Sequence, residues 1–226
     1  MTVVGGFGAA VPPGPRAGRV WYAAYGSNIH LERLAAYVRG GRPPGGAREY
    51  PGCRDPAMPA ASVPVGLDGV MYFATRSPVW GGGRAFYDPG AAGRVLARAH
   101  LVTVEQFSDI AAQEMYRRPG ADADLDLGEV LSSGRSVLGD GRYETLVRAG
   151  DIDGVPVLTF TAPWGVTDVP GVAPSAAYLR FLAAGLVATG AWDTGAVAAY
   201  VARCPGAAGH WSERDVLELL DDRSQG

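Results

Sequence analysis

The spacing of hydrophobic and polar residues predicts a chain of short strands and turns with several amphipathic helices. RVWYAAY predicts a strand from Arg19, and GSN then leads into a helix over IHLERLAAYV, with Ser27 or Asn28 as its N-cap. Further segments alternate in the way of strands: VPVGLDGVMYFAT as one strand or a hairpin, RAFYDPG, RVLARAHLVT, and the hairpin pair YETLVRA and VPVLTFTA around GDIDG.

The helix after Thr103 has the most clearly marked start. Thr103 and Gln106 have the spacing of a capping box, in which each side chain satisfies a backbone N–H at the helix start. We expect this helix to run through VEQFSDIAAQEMYRR and to end before Pro119. Later helices are predicted in SAAYLRFLAAGLVATG, TGAVAAYVARC and SERDVLELLDD, and the acidic stretch ADADLDLGEVLSSG could contain a short helix. Strands in runs with flanking helices, and little βαβ alternation, predict an α+β fold with a partly closed sheet.

Breaks in this pattern predict the domain organisation. Residues 1–18 lack periodicity and contain many breakers, so we expect a flexible N-terminal lead-in. Residues 19–222 are assigned to a single domain, because a chain of 226 residues is near the ordinary size of one. Residues 40–63 are rich in Gly and Pro and predict a long loop.

Composition excludes several classes of function. A formal net charge of −3 provides no basic surface of the kind that binds nucleic acid, and the absence of Lys excludes a Schiff-base mechanism. No apolar run is long enough to cross a bilayer, and the start does not have the pattern of a secretory signal. The distant cysteines, Cys53 and Cys204, are typical of a reducing compartment. We expect a soluble, cytoplasmic protein with no membrane or nucleic-acid partner, and leave open whether it is a homodimer.

Metal and cofactor chemistry lacks its usual residue patterns. The three histidines, His30, His100 and His210, form no ligand spacing, so no metal site is expected. No nucleotide-binding or nucleophile-elbow motif is present, so no cofactor is expected. The triplet Gly81–Gly83 could cradle an anion or form only a tight turn. For Cys53, an ordinary loop cysteine is preferred over a catalytic thiol, because no His partner is evident.

Tyr25-Gly26-Ser27-Asn28 lies at a predicted junction between strand and helix. Gly permits backbone torsions that other residues avoid, and successive N–H groups at a helix start point into the space before it. Such a nest suits a carboxylate or an oxyanion. The alternative is a capped turn with no binding role.

Glu114 stands where the helical pattern requires an apolar residue. The apolar stripe before it consists of Phe107, Ile110 and Ala111. A buried carboxylate must be paired or face a cavity, and burial raises its pKa so that it can exchange protons near neutral pH. The alternative is a helix-end carboxylate that reaches solvent or pairs with Arg118. Asp109 falls elsewhere on the helical wheel and is predicted to be solvated.

The segment WYAAYGSNI resembles the [YF]-x-A-Y-G-S-N-L motif of the γ-glutamylcyclotransferase-like family, which includes γ-glutamylamine and butirosin-pathway cyclotransferases. Weaker similarities follow in order over about residues 21–190. They are a Gly pair at 81–82, the helix from Gln106 to Glu114, a strand beginning at Tyr143, and the helix-opening PSAAY at 174–178. Residues 40–63, residues 119–142 and the C-terminal helices depart from the family pattern and could reshape the mouth of a pocket.

The resemblance implies a small mixed β-barrel with flanking helices and a reaction that needs no cofactor. The free α-amine of a γ-glutamyl amine or peptide attacks its own γ-carbonyl, closes 5-oxoproline and expels an amine. Glu114 is implied as the catalytic acid and base. The implied substrate-binding residues are Tyr22, Ala24, Tyr25, Gly26, Ser27, Asn28, Tyr143 and Tyr178.

Two other functions stay open from the sequence. One is an amide hydrolase or another acyl transfer on the same scaffold, and the other is a non-catalytic module that binds a small acid. Glu114 bears on the choice, because a binding module needs no buried carboxylate at that point. The leaving amine is not identified, although a biosynthetic intermediate is preferred over glutathione. Whether residues 40–63 and 119–142 form a lid is also left open.

Overall fold

The computed structural model describes residues 18–43 and 48–221, and the α+β prediction is confirmed. The strands are β1 (Arg19–Ala24), β2 (Ser62–Asp68), β3 (Val70–Arg76), β4 (Gly83–Asp88), β5 (Arg94–Thr103), β6 (Arg135–Val137), β7 (Thr145–Ile152) and β8 (Val155–Thr161). The helices are α1 (Leu31–Arg39), α2 (Val104–Glu114), α3 (Gly128–Ser133), α4 (Ala176–Val187), α5 (Thr194–Arg203) and α6 (Glu213–Asp221). The predicted lead-in and the end of the predicted domain lie outside the described residues, so the domain division stays a prediction.

Six strands form one open sheet in the order β2-β5-β1-β8-β7-β6, and β3 and β4 form a separate hairpin. The pair β1–β8 is parallel and the other pairs are antiparallel. The predicted barrel is therefore wrong: among the described strands, β3 and β4 pair with each other and do not join β2 to β6, and the further bridge of β3, from Ala74 to Gly171, leads to no other strand. The break occurs at Gly69, whose φ of +125° turns the chain out of the first sheet. The hairpin interpretation of VPVGLDGVMYFAT fails for the same reason.

The β7–β8 hairpin is confirmed. Its turn residues, Asp153 and Gly154, both have positive φ angles, of 50° and 75°. Two successive positive φ angles are typical of the type I′ turn, whose twist matches that of the strands it joins. The Asp-Gly pair in the sequence is therefore sufficient to explain this connection.

The hydrophobic core lies between the sheet and the helices packed on it. Helix α2 contacts β1 and β5, and α4 contacts β5 and the short 3₁₀ turn Ser27–Ile29 that follows β1. Large side chains from each layer are fully buried, among them Trp21, Phe107, Ile110 and Leu158. Among the described helices, none has both the length and the apolar character that crossing a membrane requires.

Helix α1 begins later than predicted. Ser27 and Asn28 lie inside the 3₁₀ turn, and the residue before α1 is His30, which has an extended backbone and no side-chain capping bond. The N-cap prediction is therefore wrong, because the chain makes a separate short turn before the helix starts. That turn, rather than a cap, brings the polar side chain of Asn28 inward, where it is buried.

Helix α2 starts as predicted and ends early. Gln106 N donates to Thr103 Oγ1 at 3.1 Å and Thr103 N donates to Gln106 Oε1 at 3.2 Å, which confirms the capping box. The helix ends at Glu114 instead of continuing to position 118, because Tyr116 has a positive φ of 59° that a right-handed helix cannot contain. The catalytic candidate Glu114 is thus the last residue of the helix.

Asp109 is buried rather than solvated, so this prediction is wrong. Its carboxylate accepts hydrogen bonds from Arg54 N at 2.8 Å and from Arg54 Nε at 3.0 Å, and its side chain is 1% exposed. The helical wheel of α2 gave no sign of this partner, because Arg54 belongs to the loop over residues 40–63. The contact fastens that loop to the outer side of α2.

Candidate active site

A cleft forms where the 3₁₀ turn after β1, the start of α1, the end of α2, β4 and α4 meet. It gathers most of the residues that the sequence analysis singled out: Tyr22, Tyr25, Gly26, Ser27, Asn28, Glu114, Tyr143 and Tyr178. Ala24 does not line the cleft and is buried in β1. The structure thus brings residues from distant parts of the chain to a single concave surface.

Glu114 lies half-buried in this cleft at the end of α2. Its Oε1 accepts a hydrogen bond from Asn28 Nδ2 at 3.2 Å, and no described arginine forms an ion pair with it. Burial raises the pKa of Glu114, and the hydrogen bonds from Tyr37 and Asn28 and the charges of Arg33 and Arg142 oppose this only in part. A carboxyl group that holds its proton more tightly than usual is suited to accepting and returning a proton.

Asn28 is held from both sides. Its Nδ2 also lies 3.2 Å from the Tyr22 hydroxyl oxygen, and its backbone oxygen lies 3.1 Å from His100 Nε2. Burial lowers the pKa of His100 to about 3, so the imidazole is neutral. Because a backbone oxygen only accepts, His100 Nε2 carries the proton, and Nδ1 accepts from the Ser62 hydroxyl at 2.8 Å. This chain of contacts fixes the loop that presents Asn28 to Glu114.

Gly26 is closely surrounded by its neighbours. Its φ of −105° is not positive, so this glycine is not in the left-handed region that favours glycine. A Cβ at this position would lie 3.2 Å from the Tyr178 hydroxyl and 3.7 Å from Ala85 Cβ. The absence of a side chain therefore keeps this part of the cleft open.

Two tyrosine hydroxyls reach the same residue of β4. Ala85 N donates to the Tyr178 hydroxyl at 3.3 Å, and the Tyr143 hydroxyl donates to Ala85 O at 3.0 Å. Burial raises the pKa of Tyr178 to about 12, so its proton is retained and free to be donated into the cleft. The Tyr143 hydroxyl already donates its proton to Ala85 O in β4, and the Tyr25 hydroxyl donates its proton to Phe160 O at 2.9 Å.

Gly82 and Gly83 allow the chain to pack closely, whereas a Cβ on Gly81 would meet nothing within 4 Å. A Cβ on Gly82 would lie 2.4 Å from Ser175 N, and one on Gly83 would lie 1.9 Å from Val172 O. These contacts bring the β3–β4 turn against the segment that starts α4. Ser175 caps α4 by accepting a hydrogen bond from Tyr178 N, so the packing sets the position of Tyr178.

Sequence reasoning missed the basic and aromatic residues of the cleft. They are Arg33, Arg48, Arg84, Arg142, Tyr37, Tyr50, Trp80, Tyr116 and Phe160. Arg33 is the most informative, because it is 2% exposed although it carries a charge. Its position on the apolar face of α1, one turn before Tyr37, is the same kind of signal that pointed to Glu114.

Arg33 has free hydrogen-bonding capacity inside the cleft. Its Nη2 donates to the Tyr50 hydroxyl at 2.5 Å, and its guanidinium lies 5.3 Å from the centre of the Trp80 ring. Its Nε and Nη1 are buried and have no partner among the described residues. Because a buried unpaired donor is costly, these two nitrogens indicate a place for an acceptor from a ligand.

Cys53 does not line the cleft. Cys53 Sγ contacts the backbone oxygens of Tyr37 and Gln106, and burial raises the pKa of the thiol to about 12, which disfavours a thiolate. Within residues 18–43 and 48–221, no group of three or more His, Cys, Asp or Glu side chains is arranged to hold a metal ion.

Comparisons with known proteins give limited similarities. No family model matches the chain. Histone deacetylase 5 of Arabidopsis thaliana is 29% identical over 200 residues, which are 80% of this chain but only 30% of that protein. Among solved structures, a γ-glutamyl cyclotransferase covers 88% of this chain and 98% of its own with a TM-score of 0.46 and 15% identity. A crystal structure of an uncharacterized human protein covers 89% of this chain and 99% of its own with a TM-score of 0.48 and 15% identity.

Proposed function

We propose that this cleft cyclises a γ-glutamyl group to 5-oxoproline and releases an amine, with Glu114 as the acid and base. The observation that carries the proposal is a carboxyl group of raised pKa, Glu114, in one cleft with a buried guanidinium, Arg33, that has two unpartnered nitrogens. A γ-glutamyl group offers an α-ammonium to the first and an α-carboxylate to the second. Arginine forms two parallel hydrogen bonds to a carboxylate, which fixes orientation as well as position.

The reaction needs only proton transfers and orientation. The α-ammonium gives a proton to the Glu114 carboxylate, and the freed amine attacks the γ-carbonyl carbon of the same molecule. In the tetrahedral intermediate the ring nitrogen still carries one proton more than the lactam product. Glu114 gives its proton to the leaving nitrogen, and the bond from the γ-carbon to that nitrogen breaks. Glu114 then takes the surplus proton from the ring nitrogen and passes it to the released amine, which leaves as an ammonium ion. No water is consumed. Because the ring closure is intramolecular, correct positioning alone supplies a large part of the acceleration.

The developing oxyanion has candidate donors in the same cleft. The Tyr178 hydroxyl lies next to Gly26, where it keeps a proton to donate. The N–H groups of the loop at Gly26–Asn28 start a helical turn and are the other candidates, as the nest pattern predicts. The Asn28 side chain, by contrast, is used to hold Glu114.

The proposal is tested by product identity. The protein is incubated with a panel of γ-glutamyl amino acids and γ-glutamyl amines in ¹⁸O-labelled water, and products are measured by mass spectrometry. We expect unlabelled 5-oxoproline and free amine, and no turnover of N-acetylated substrates, because the α-amine is the nucleophile. Labelled glutamate would instead support an amide hydrolase, with Glu114 activating water. Ligand binding without either product would support a binding module.

A further inference from the structure

The mouth of the cleft is positively charged although the chain as a whole has a net charge of −3. Four arginines line the cleft against one acidic residue, Glu114. Arg33 is buried inside the cleft, and Arg84 Nη2 donates a hydrogen bond to Arg76 O at 2.6 Å. The charges left at the mouth are those of Arg48 and Arg142.

Arg48 and Arg142 meet on a single aromatic ring. The guanidinium carbon of Arg48 lies 4.5 Å from the centre of the Tyr116 ring, and that of Arg142 lies 4.4 Å from the same centre. Tyr116 is 48% exposed and follows the end of α2 with a positive φ of 59°, so its ring stands at the opening. Cation–π contacts with an exposed ring stabilise each cation only modestly.

Neither arginine forms an ion pair with a described acidic residue, although the charge of Arg142 acts on Glu114 without direct contact. The structure shows no ion pair and no hydrogen bond from Arg48 or Arg142 to a described side chain, whereas nearby Arg117 is paired with Glu144 at 2.6 Å. Both positive charges lie within 4.5 Å of one ring centre and repel each other, and an anion that contacts both guanidinium groups would offset that repulsion. The arrangement therefore favours a ligand that brings negative charge to the opening.

We propose that Arg48, Tyr116 and Arg142 form an anion subsite that selects leaving amines with two negative charges. The inference rests on the proposed function: the zwitterionic γ-glutamyl group is neutral overall and is met by Glu114 and Arg33, so the charges at the mouth face the leaving group. Both arginines come from the segments 40–63 and 119–142 that depart from the family pattern. The positive charges of the same two arginines repel leaving amines that carry a second, distant positive charge, such as diamines and aminoglycosides.

The subsite is tested with isosteric substrates. We compare γ-glutamyl-glutamate, γ-glutamyl-glutamine and γ-glutamyl-glutamine amide, whose leaving groups carry two, one and no negative charges on nearly the same shape. We expect kcat/KM to fall by about tenfold or more from the first to the third. A fourth substrate, γ-glutamyl-phosphoethanolamine, carries its two negative charges on a phosphate group instead of two carboxylates. If its kcat/KM equals that of γ-glutamyl-glutamate, the subsite selects by charge, and if it is well below, the subsite is shaped for carboxylates. γ-Glutamyl-lysine amide should be the poorest substrate.

Variants assign the effect to the named residues. Arg48→Gln and Arg142→Gln should each lower kcat/KM for the dianionic substrate several-fold more than for the neutral amide. The comparison between the two substrates is the measured quantity, because the charge of Arg142 also acts on Glu114 and affects the turnover of both. Arg180→Gln is the matched control, because Arg180 lies on α4, does not line the cleft, and has the same charge to lose. Equal losses on both substrates, or equal rates for all three substrates, would overturn the subsite.

A binding measurement separates the two proposals. Calorimetric titration of Glu114→Gln, which should not turn substrate over, gives the dissociation constants of the intact compounds. Preference for the dianion without any 5-oxoproline from wild type would reject the cyclisation and keep the anion subsite. Production of 5-oxoproline without that preference would keep the cyclisation and reject the subsite.

Discussion

Glu114 is the residue on which the chemistry depends. We predict that Glu114→Gln lowers turnover by about 10²–10⁴-fold and weakens substrate binding far less, because the amide keeps the shape and a hydrogen-bond acceptor for the α-ammonium but cannot exchange the proton. The matched control is Glu105→Gln, since Glu105 lies on the same helix and its side chain is 41% exposed. Wild-type turnover in the Glu114 variant would reject the assignment.

Glu114 also makes the folded protein less stable at neutral pH. A carboxyl group whose pKa is raised on folding binds its proton more tightly in the folded state, so stability falls as pH rises from the unfolded value of 4.5 through the folded one. Glu114→Gln should therefore unfold at a higher temperature than wild type at neutral pH, and the difference should vanish below about pH 4. Thermal unfolding followed by circular dichroism from pH 4 to pH 8 measures this. A constant difference across that range would contradict it.

His100 has the opposite dependence. Its pKa falls from 6.5 to about 3 on burial, so the unfolded chain takes up a proton first and stability is lost as pH falls between these values. His100→Gln should start from lower stability at pH 7 and lose less between pH 7 and pH 4 than wild type. His210→Gln, at an exposed position, is the control and should follow the wild-type curve. If His100→Gln loses as much stability on acidification as wild type, burial of a neutral imidazole is not the cause.

At the scale of elements, the turn after α5 supports the hairpin that holds the cleft tyrosines. Phe73 N in β3 donates to Pro205 O at 2.8 Å, and β3 pairs with β4, which carries Ala85. Gly206 is the point of closest approach: its φ is +88°, and a Cβ there would lie 2.3 Å from Phe73 O. This turn therefore helps to set the position of β3 and β4 relative to α4.

We predict that Gly206→Ala destabilises the protein by about 3 kcal/mol or more, because left-handed strain adds to a backbone collision. Gly209→Ala is the matched control: its φ is +80°, but nothing lies within 4 Å of the added Cβ, so only the strain of about 1–2 kcal/mol applies. Urea unfolding midpoints measure both. If both variants lose the same free energy of unfolding, the turn at Gly206 can shift away from β3 at little energetic cost.

At the scale of the whole molecule, net charge and local charge oppose each other. With a net charge of −3 alone, the chain would repel a dianionic substrate, and added salt would raise kcat/KM by screening that repulsion. The arginines at the cleft predict the reverse. We expect kcat/KM for γ-glutamyl-glutamate to fall several-fold between about 0.02 and 0.5 M NaCl, with little change for the neutral amide. A rise with salt would show that the net charge dominates.

Local features were predictable from the sequence. The capping box of Thr103 and Gln106, the Asp-Gly turn between β7 and β8, and the polar loop at the end of β1 each involve residues a few positions apart, so their chemistry is complete in a short segment. Glu114 was found in the same way, as a carboxylate that interrupts an apolar stripe. These features determined the class of fold and pointed to the cleft.

Tertiary structure decided what depends on distant pairings. Whether the sheet closes depends on which strands β3 and β4 meet, and the burial of Asp109 depends on Arg54, 55 residues away. In the sequence Arg48 and Arg142 look like ordinary solvated residues, and only the folded chain places both against the Tyr116 ring. Periodicity reports only which face of an element is apolar, whereas the charge of a cleft is the sum over elements that meet only in the folded chain.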